Sequence, residues 1–180
     1  MNRKSDLRHA LSLMLSILLV DIICIVVFFS LYFLLSNPLG LALIQIIDLL
    51  VLISIIYLPV WKIGEKDINY VLTGRIPYDK YSGLKIGSIA MIALYLPCIL
   101  LVVSKALNNQ VLYALYMLIE APFYGFVRLI LPIQIVDANW VQVIISFIFP
   151  LIIPIITALA YHLGYKRISL TGNLIYKKKK

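Results

Sequence analysis

The chain has 180 residues, 63% hydrophobic and only 13% charged, with 16 Lys and Arg set against 8 Asp and Glu for a net charge of +8. A soluble domain carries about 25% charged and about 45–50% apolar residues, so a water-soluble globular fold is excluded. Disorder is excluded by the same aliphatic content, two Cys exclude a disulfide scaffold, and an integral membrane protein remains.

A helix crosses a hydrocarbon core about 30 Å thick with about 20 apolar residues. The first such run covers about 10–35 and contains Asp21 and Cys24. It is too long for a signal peptide and no small-x-small site closes it, so it is expected to remain in the mature protein. A lipoprotein signal at Cys24 fails because Ile23 stands where a small residue is needed. Ser36-Asn37-Pro38 makes a short turn, since Pro cannot continue a helix and disfavours the α conformation before it. The second run, 39–60, then completes a hairpin and carries Gln45 and Asp48. A loop at 61–85, a third run at 86–103, an outer segment at 104–139, a fourth run at 140–163 and a basic tail at 164–180 follow.

Within the outer segment, 111–131 has the length of a fifth span but contains Glu120, Pro122, Gly125 and Arg128. Lys and Arg concentrate in short cytoplasmic loops, and that bias decides between four and five spans. Four spans put three bases of the amino terminus, five of the loop and six of the tail on one side, 14 of the 16. Five spans would move the tail's six outside. The predicted fold is therefore a single all-α integral membrane domain, with four transmembrane helices as two hairpins and both termini cytoplasmic. Asp6, Glu65, Asp67 and Asp79 then bring the inner face to +10, while Glu120 and Asp137 balance Lys105 and Arg128 outside. The apolar run ending at Glu120 is too short to cross, which predicts an interfacial or re-entrant helical segment between helices 3 and 4. Tyr113, Tyr116, Phe123, Tyr124, Phe126 and Trp140 favour the interfacial form.

Two cytoplasmic stretches repeat. Trp61-Lys62-Ile63-Gly64-Glu65-Lys66-Asp67-Ile68 aligns with Tyr161-His162-Leu163-Gly164-Tyr165-Lys166-Arg167-Ile168, and Leu72-Thr73-Gly74 with Leu170-Thr171-Gly172. Tyr78 and Lys80 align with Tyr176 and Lys178. Two hairpins that begin and end on one side would be related by an axis along the membrane normal, as in parallel-repeat transporters. General use of aromatic and basic anchors at the interface yields similar matches.

Gly74-Arg75-Ile76-Pro77 and Gly83-Leu84-Lys85-Ile86 resemble the cytoplasmic loop of the RDD family of small bacterial membrane proteins, and Leu170-Thr171-Gly172 resembles its tail. The resemblance covers about a tenth of the chain. No Arg stands seven residues before Asp21 or Asp48, and Tyr78-Asp79 replaces the family's Gly-Lys pair. It implies no site residue here.

Asp21 and Asp48 are the strongest chemical signal. A carboxylate mid-membrane costs roughly 2.5–3.5 kcal/mol on insertion scales, and such residues face an interior or a water path. Asp21, Asp48 and Gln45, one turn before Asp48, form a candidate proton or cation site, or bonded groups that hold helices together. Pro97, Pro150 and Pro154 remove backbone bonds mid-span and can expose carbonyls. Glu120 and Arg128 are expected to pair across Pro122. Gly83, Gly87 and Ala90 make a small-residue face for close packing, within the chain or in a dimer. No glycines precede the aspartates as in intramembrane aspartyl proteases, Cys24 and Cys98 lie deep in their spans whereas His9 and His162 lie at the cytoplasmic ends, and no phosphate loop is present. No catalytic residue, metal site or cofactor is expected.

Lys177, Lys178, Lys179 and Lys180, with Lys166 and Arg167, form a contact surface for an anionic inner leaflet or a partner. They lie beside spans and not in a separate domain, so nucleic acid is not the expected partner. Eleven Lys against five Arg and abundant Ile suggest an AT-rich genome and a bacterial plasma membrane. The expected function is a non-enzymatic accessory or interaction subunit of a membrane complex, contacting a membrane protein or a second copy through 64–84 and the tail. The alternative is a small proton- or cation-linked permease built on Asp21 and Asp48.

Overall fold

A computed structural model describes residues 3–31, 33, 37–77 and 79–168. Ser36, Tyr78, 170–172, Tyr176 and Lys177 to Lys180, on which several of the expectations above rest, lie outside the described residues. Eight α-helices are described: α1 (Arg3–Ser30), α2 (Pro38–Leu72), α3 (Ser82–Ala90), α4 (Ile92–Ala106), α5 (Gln110–Ile119), α6 (Tyr124–Ile130), α7 (Trp140–Ser146) and α8 (Ile152–Tyr165). Four stretches are long and apolar enough to cross a membrane: Asp6–Ser30, Leu39–Leu72, Ser82–Ala106 and Trp140–Tyr165.

Helix starts at one end of the bundle share a device. Asn37 accepts from Leu39 N at 3.1 Å, Asn109 from Val111 N and Leu112 N, and Asn139 closes a capping box with Gln142. Each satisfies amide groups that a first helical turn leaves unpaired. The third and fourth spans are each interrupted. Between α3 and α4 the helix tightens at Met91, whose carbonyl accepts from both Leu94 and Tyr95 N–H. Between α7 and α8 a 3-10 turn at Phe149–Leu151 carries Pro150, with Pro154 one turn on, where two missing N–H donors prevent a regular ladder.

The spans pack as a four-cornered bundle. α1 meets α2, α2 meets α8, α8 meets α3, and α3 returns to α1. The second helix runs well past the expected end at residue 60. Its 35 residues span about 52 Å at 1.5 Å each, more than the 30 Å of a hydrocarbon core. The predicted loop at 61–85 is thus helical to Leu72, because Trp61, Gly64 and Asp67 pack onto α8 and its extension. Trp61 Nε1 donates to Ile168 O at 2.9 Å, Tyr161 Oη donates to Asp67 Oδ2 at 2.8 Å, and Arg167 donates to Asn69 Oδ1. The two repeated stretches lie against each other. Gly83 and Gly87 serve packing within the chain: a Cβ at either would strike Thr157, with Tyr161 or Pro154 beside it.

Between α4 and α7, α5 and α6 meet at 84° around a 3-10 turn, Ala121–Phe123. That turn is buried against α1 and α2, with Phe123 fully enclosed. The segment leaves and returns at one end of the bundle. Gln110, at the start of α5, bonds Ile133 O and Ile135 N, while Lys105 Nζ donates to the carbonyls of Ile135 and Val136. The 3-10 turn thus enters the bundle and does not lie on its surface.

Candidate functional site

On α1, Asp21 and Cys24 are three residues apart and share a face. On α2, Gln45 and Asp48 do the same. Both faces turn inward: Asp21, Cys24, Gln45 and Asp48 are all buried. A third carboxyl joins them from the turn between α5 and α6, where Glu120 is 1% exposed.

Gln45 holds that turn in place. Its Nε2 donates to Pro122 O at 2.9 Å and its Oε1 accepts from Phe126 N at 3.1 Å. Both are backbone groups beside Pro122, where the helical ladder is broken, so one amide side chain replaces two lost ladder partners. The approach is close enough to require glycine at 125, where a Cβ would sit 2.7 Å from Gln45 Oε1. Gln45 therefore clamps the turn, and Asp48 stands one helical turn further along.

The buried groups form a chain of neighbours. The Cys24 thiol lies against the Asp48 carboxyl, and Asp21 is an electrostatic neighbour of both Cys24 and Glu120. Cys98 on α4 points its thiol at Leu94 O, 3.6 Å away, and at Glu120 Oε1, 3.9 Å away. Tyr116 extends the line beyond Glu120 towards Ser146. Each cysteine thus lies beside one carboxyl, Cys24 beside Asp48 and Cys98 beside Glu120. Asp21 Oδ1, Asp48 Oδ1 and Glu120 Oε2 are buried without a hydrogen-bond partner. Buried polar atoms are nearly always paired, so three orphan carboxyl oxygens in one interior make these residues the candidate site; the Tyr57 hydroxyl is a further unpaired buried group. Among the described residues no group of three His, Cys, Asp or Glu has the arrangement to hold a metal ion.

The expected pairing of Glu120 with Arg128 is not formed. Glu120 faces inward to Cys98, while Arg128, in the last turn of α6, reaches the Tyr113 hydroxyl at the edge of a cavity. The two side chains leave opposite sides of the bent segment, because Glu120 ends α5 and Pro122 redirects the chain before α6 begins. An ion pair joins Lys85 and Asp79, at 2.6 Å. On the basic face, Lys166 is exposed, and Arg167 is committed to Asn69.

Glu120 and the two cysteines are members that reading along the sequence did not place in the site. The signal was the length of the limbs: ten residues of α5 cover about 15 Å, enough to carry Glu120 from the end of the bundle into its interior. No family model matches the chain, and no curated protein or solved structure matches it either.

Proposed function

We propose that this is a small proton-linked permease whose titrating groups are Asp21, Asp48 and Glu120. The observation that carries the reading is that three carboxyls from α1, α2 and the buried turn share one interior, each with an oxygen left unpaired. An intramembrane carboxylate is neutralised by a proton or a cation, and a string of such groups suits a relay. Cys24 and Cys98, beside Asp48 and Glu120, add polar atoms between them. Gln45 sets the height of Glu120 relative to Asp48 by fixing the turn.

In this reading the segment 110–130 is re-entrant from the outside, there are four spans, and both termini lie with the basic face in the cytoplasm of a bacterial cell. Fourteen of 16 Lys and Arg support that orientation. Each base near an anionic inner leaflet gains about 1 kcal/mol.

The test is proton uptake into liposomes containing the purified chain, driven by an imposed potential and read with an internal pH dye. The wild type is expected to exceed empty liposomes, and Asp21→Asn, Asp48→Asn and Glu120→Gln together to abolish the excess while eluting as the wild type does. A wild type that matches empty liposomes, or a triple variant that matches the wild type, overturns the reading.

The second reading is the accessory subunit. Its support is that Tyr70 and Tyr81 are 43% and 58% exposed among the bases of the inner end. It is tested by whether Tyr70→Ser with Tyr81→Ser releases a co-purifying membrane protein.

A further inference from the structure

Beside the buried turn lies a cavity of about 300 Å³ between α1, α5 and α6, lined by none of the three carboxyls. That volume is at the small end of the range of about 300–1,000 Å³ for ligand pockets. Its outer end holds Arg128, Gln110 and Tyr113, and its inner end holds Phe28, Met117 and Ala121. Ala121 lies at the buried turn and Arg128 in the last turn of α6, so the cavity is apolar at one end and polar at the other.

We propose that this cavity binds an anionic phospholipid, with its phosphate on Arg128 and the start of an acyl chain along Phe28 and Met117. Among the described residues Arg128 forms no ion pair; the Tyr113 hydroxyl is its neighbour, and that hydroxyl donates onward to Pro132 O at 2.8 Å. A guanidinium carries five donors in a planar fork, suited to two phosphate oxygens at once, so most of its capacity is unused. Gln110 is already committed to Ile133 and Ile135, which leaves Arg128 as the group that selects charge. The edge-on contact of Phe28 with Tyr124, 4.8 Å between centroids, makes a firm apolar wall below it.

Charge complementarity calls for an anion, and the surroundings call for a lipid. Val111, Leu129 and Ile133 beside the outer end are each at least 70% exposed. Exposed apolar side chains on a membrane-spanning bundle face acyl chains, so a ligand reaches Arg128 by lateral movement of lipid. The proposal does not depend on proton transport, and its readout is binding.

The test is native mass spectrometry of the full chain in detergent with phosphatidylglycerol, phosphatidylcholine or glycerol 3-phosphate. The wild type is expected to retain phosphatidylglycerol preferentially, and Arg128→Gln to lower that retention about ten-fold, as loss of charged hydrogen bonds would. Arg128→Lys should lose part of it. Ala114→Phe fills the cavity with the guanidinium intact and should displace the lipid as fully. That variant decides the matter if Arg128→Gln does not fold. Equal retention of both lipids by the wild type, or wild-type retention by Ala114→Phe, overturns the proposal. Equal binding of glycerol 3-phosphate assigns the site to soluble anions and overturns the lipid.

Discussion

Gly64 and Gly164 stand at one helix crossing, each against the other helix's backbone. A Cβ at Gly64 would strike the carbonyl of Tyr161, and a Cβ at Gly164 would strike the carbonyl of Trp61. The contact is reciprocal: position 64 follows Trp61 by three, position 164 follows Tyr161 by three, and each glycine meets the other's aromatic partner. The repeat in the sequence is thus a pair of faces that cross on a local two-fold relation, with backbones closer than any side chain allows.

Alanine at either glycine should therefore force α2 and α8 apart. Overpacking of this kind costs about 1–3 kcal/mol. Because both methyls open one interface, Gly64→Ala and Gly164→Ala together should cost less than their sum, read from thermal unfolding in detergent. Strict additivity would show that the two do not share a crossing.

Replacing Gln45 by Leu removes both bonds to the turn and leaves Pro122 O and Phe126 N buried and unpaired. Each orphan costs about 1–3 kcal/mol, so the variant should be among the least stable single changes in the chain. Gln45→Glu keeps the acceptor for Phe126 N but loses the donor to Pro122 O, and should fall between the two. A melting temperature unchanged in Gln45→Leu would mean that the turn is held by apolar packing alone.

Tyr161→Phe removes the donor to Asp67 where α2 extends beyond the apolar span. Hydrogen bonds to charged groups are worth about 1.5–3 kcal/mol, and the half-buried setting points to the lower end. In a double-mutant cycle Asp67→Asn should remove most of the same energy, and a coupling near zero would exclude the bond.

Lys85 holds the Asp79 carboxyl below its usual range through the 2.6 Å hydrogen bond. A carboxyl depressed in the folded state adds stability above its unfolded value near 3.9 and loses it as pH falls through the folded value. Lys85→Gln should therefore lower stability at pH 7 and make little difference well below pH 4. Both groups are solvent-accessible, so the effect should not exceed about 1 kcal/mol and should shrink in high salt. An effect that grew on acidification would contradict the assignment.

Both native cysteines are buried and so should be silent to aqueous thiol reagents. Single cysteines at Gln110 and Lys166 should label from opposite sides of a membrane if the segment 110–130 is re-entrant. Labelling of both from one side would make 110–130 a fifth span and overturn the four-span topology.

Composition and run length determined that this is a helical chain with four apolar stretches, because about 20 apolar residues in a row have no alternative fold in water or lipid. The sequence also exposed Asp21, Asp48 and Gln45, since charge or amide inside such a run is rare enough to notice. It could not place Glu120. Reading along the chain, a ten-residue apolar run ending at an acid before Pro122 looks too short to enter the membrane core, and an Arg eight residues on looks like its partner. Only the tertiary structure decided that the short limb turns inward, because the reward is made by distant groups: Gln45 is 77 residues from Pro122 and 81 from Phe126. The same holds for the repeat, which local patterning suggested but could not separate from ordinary anchoring. A crossing of Gly64 with Gly164 exists only when two helices meet, and its physical basis, the absence of two Cβ atoms, acts between elements and not along either one.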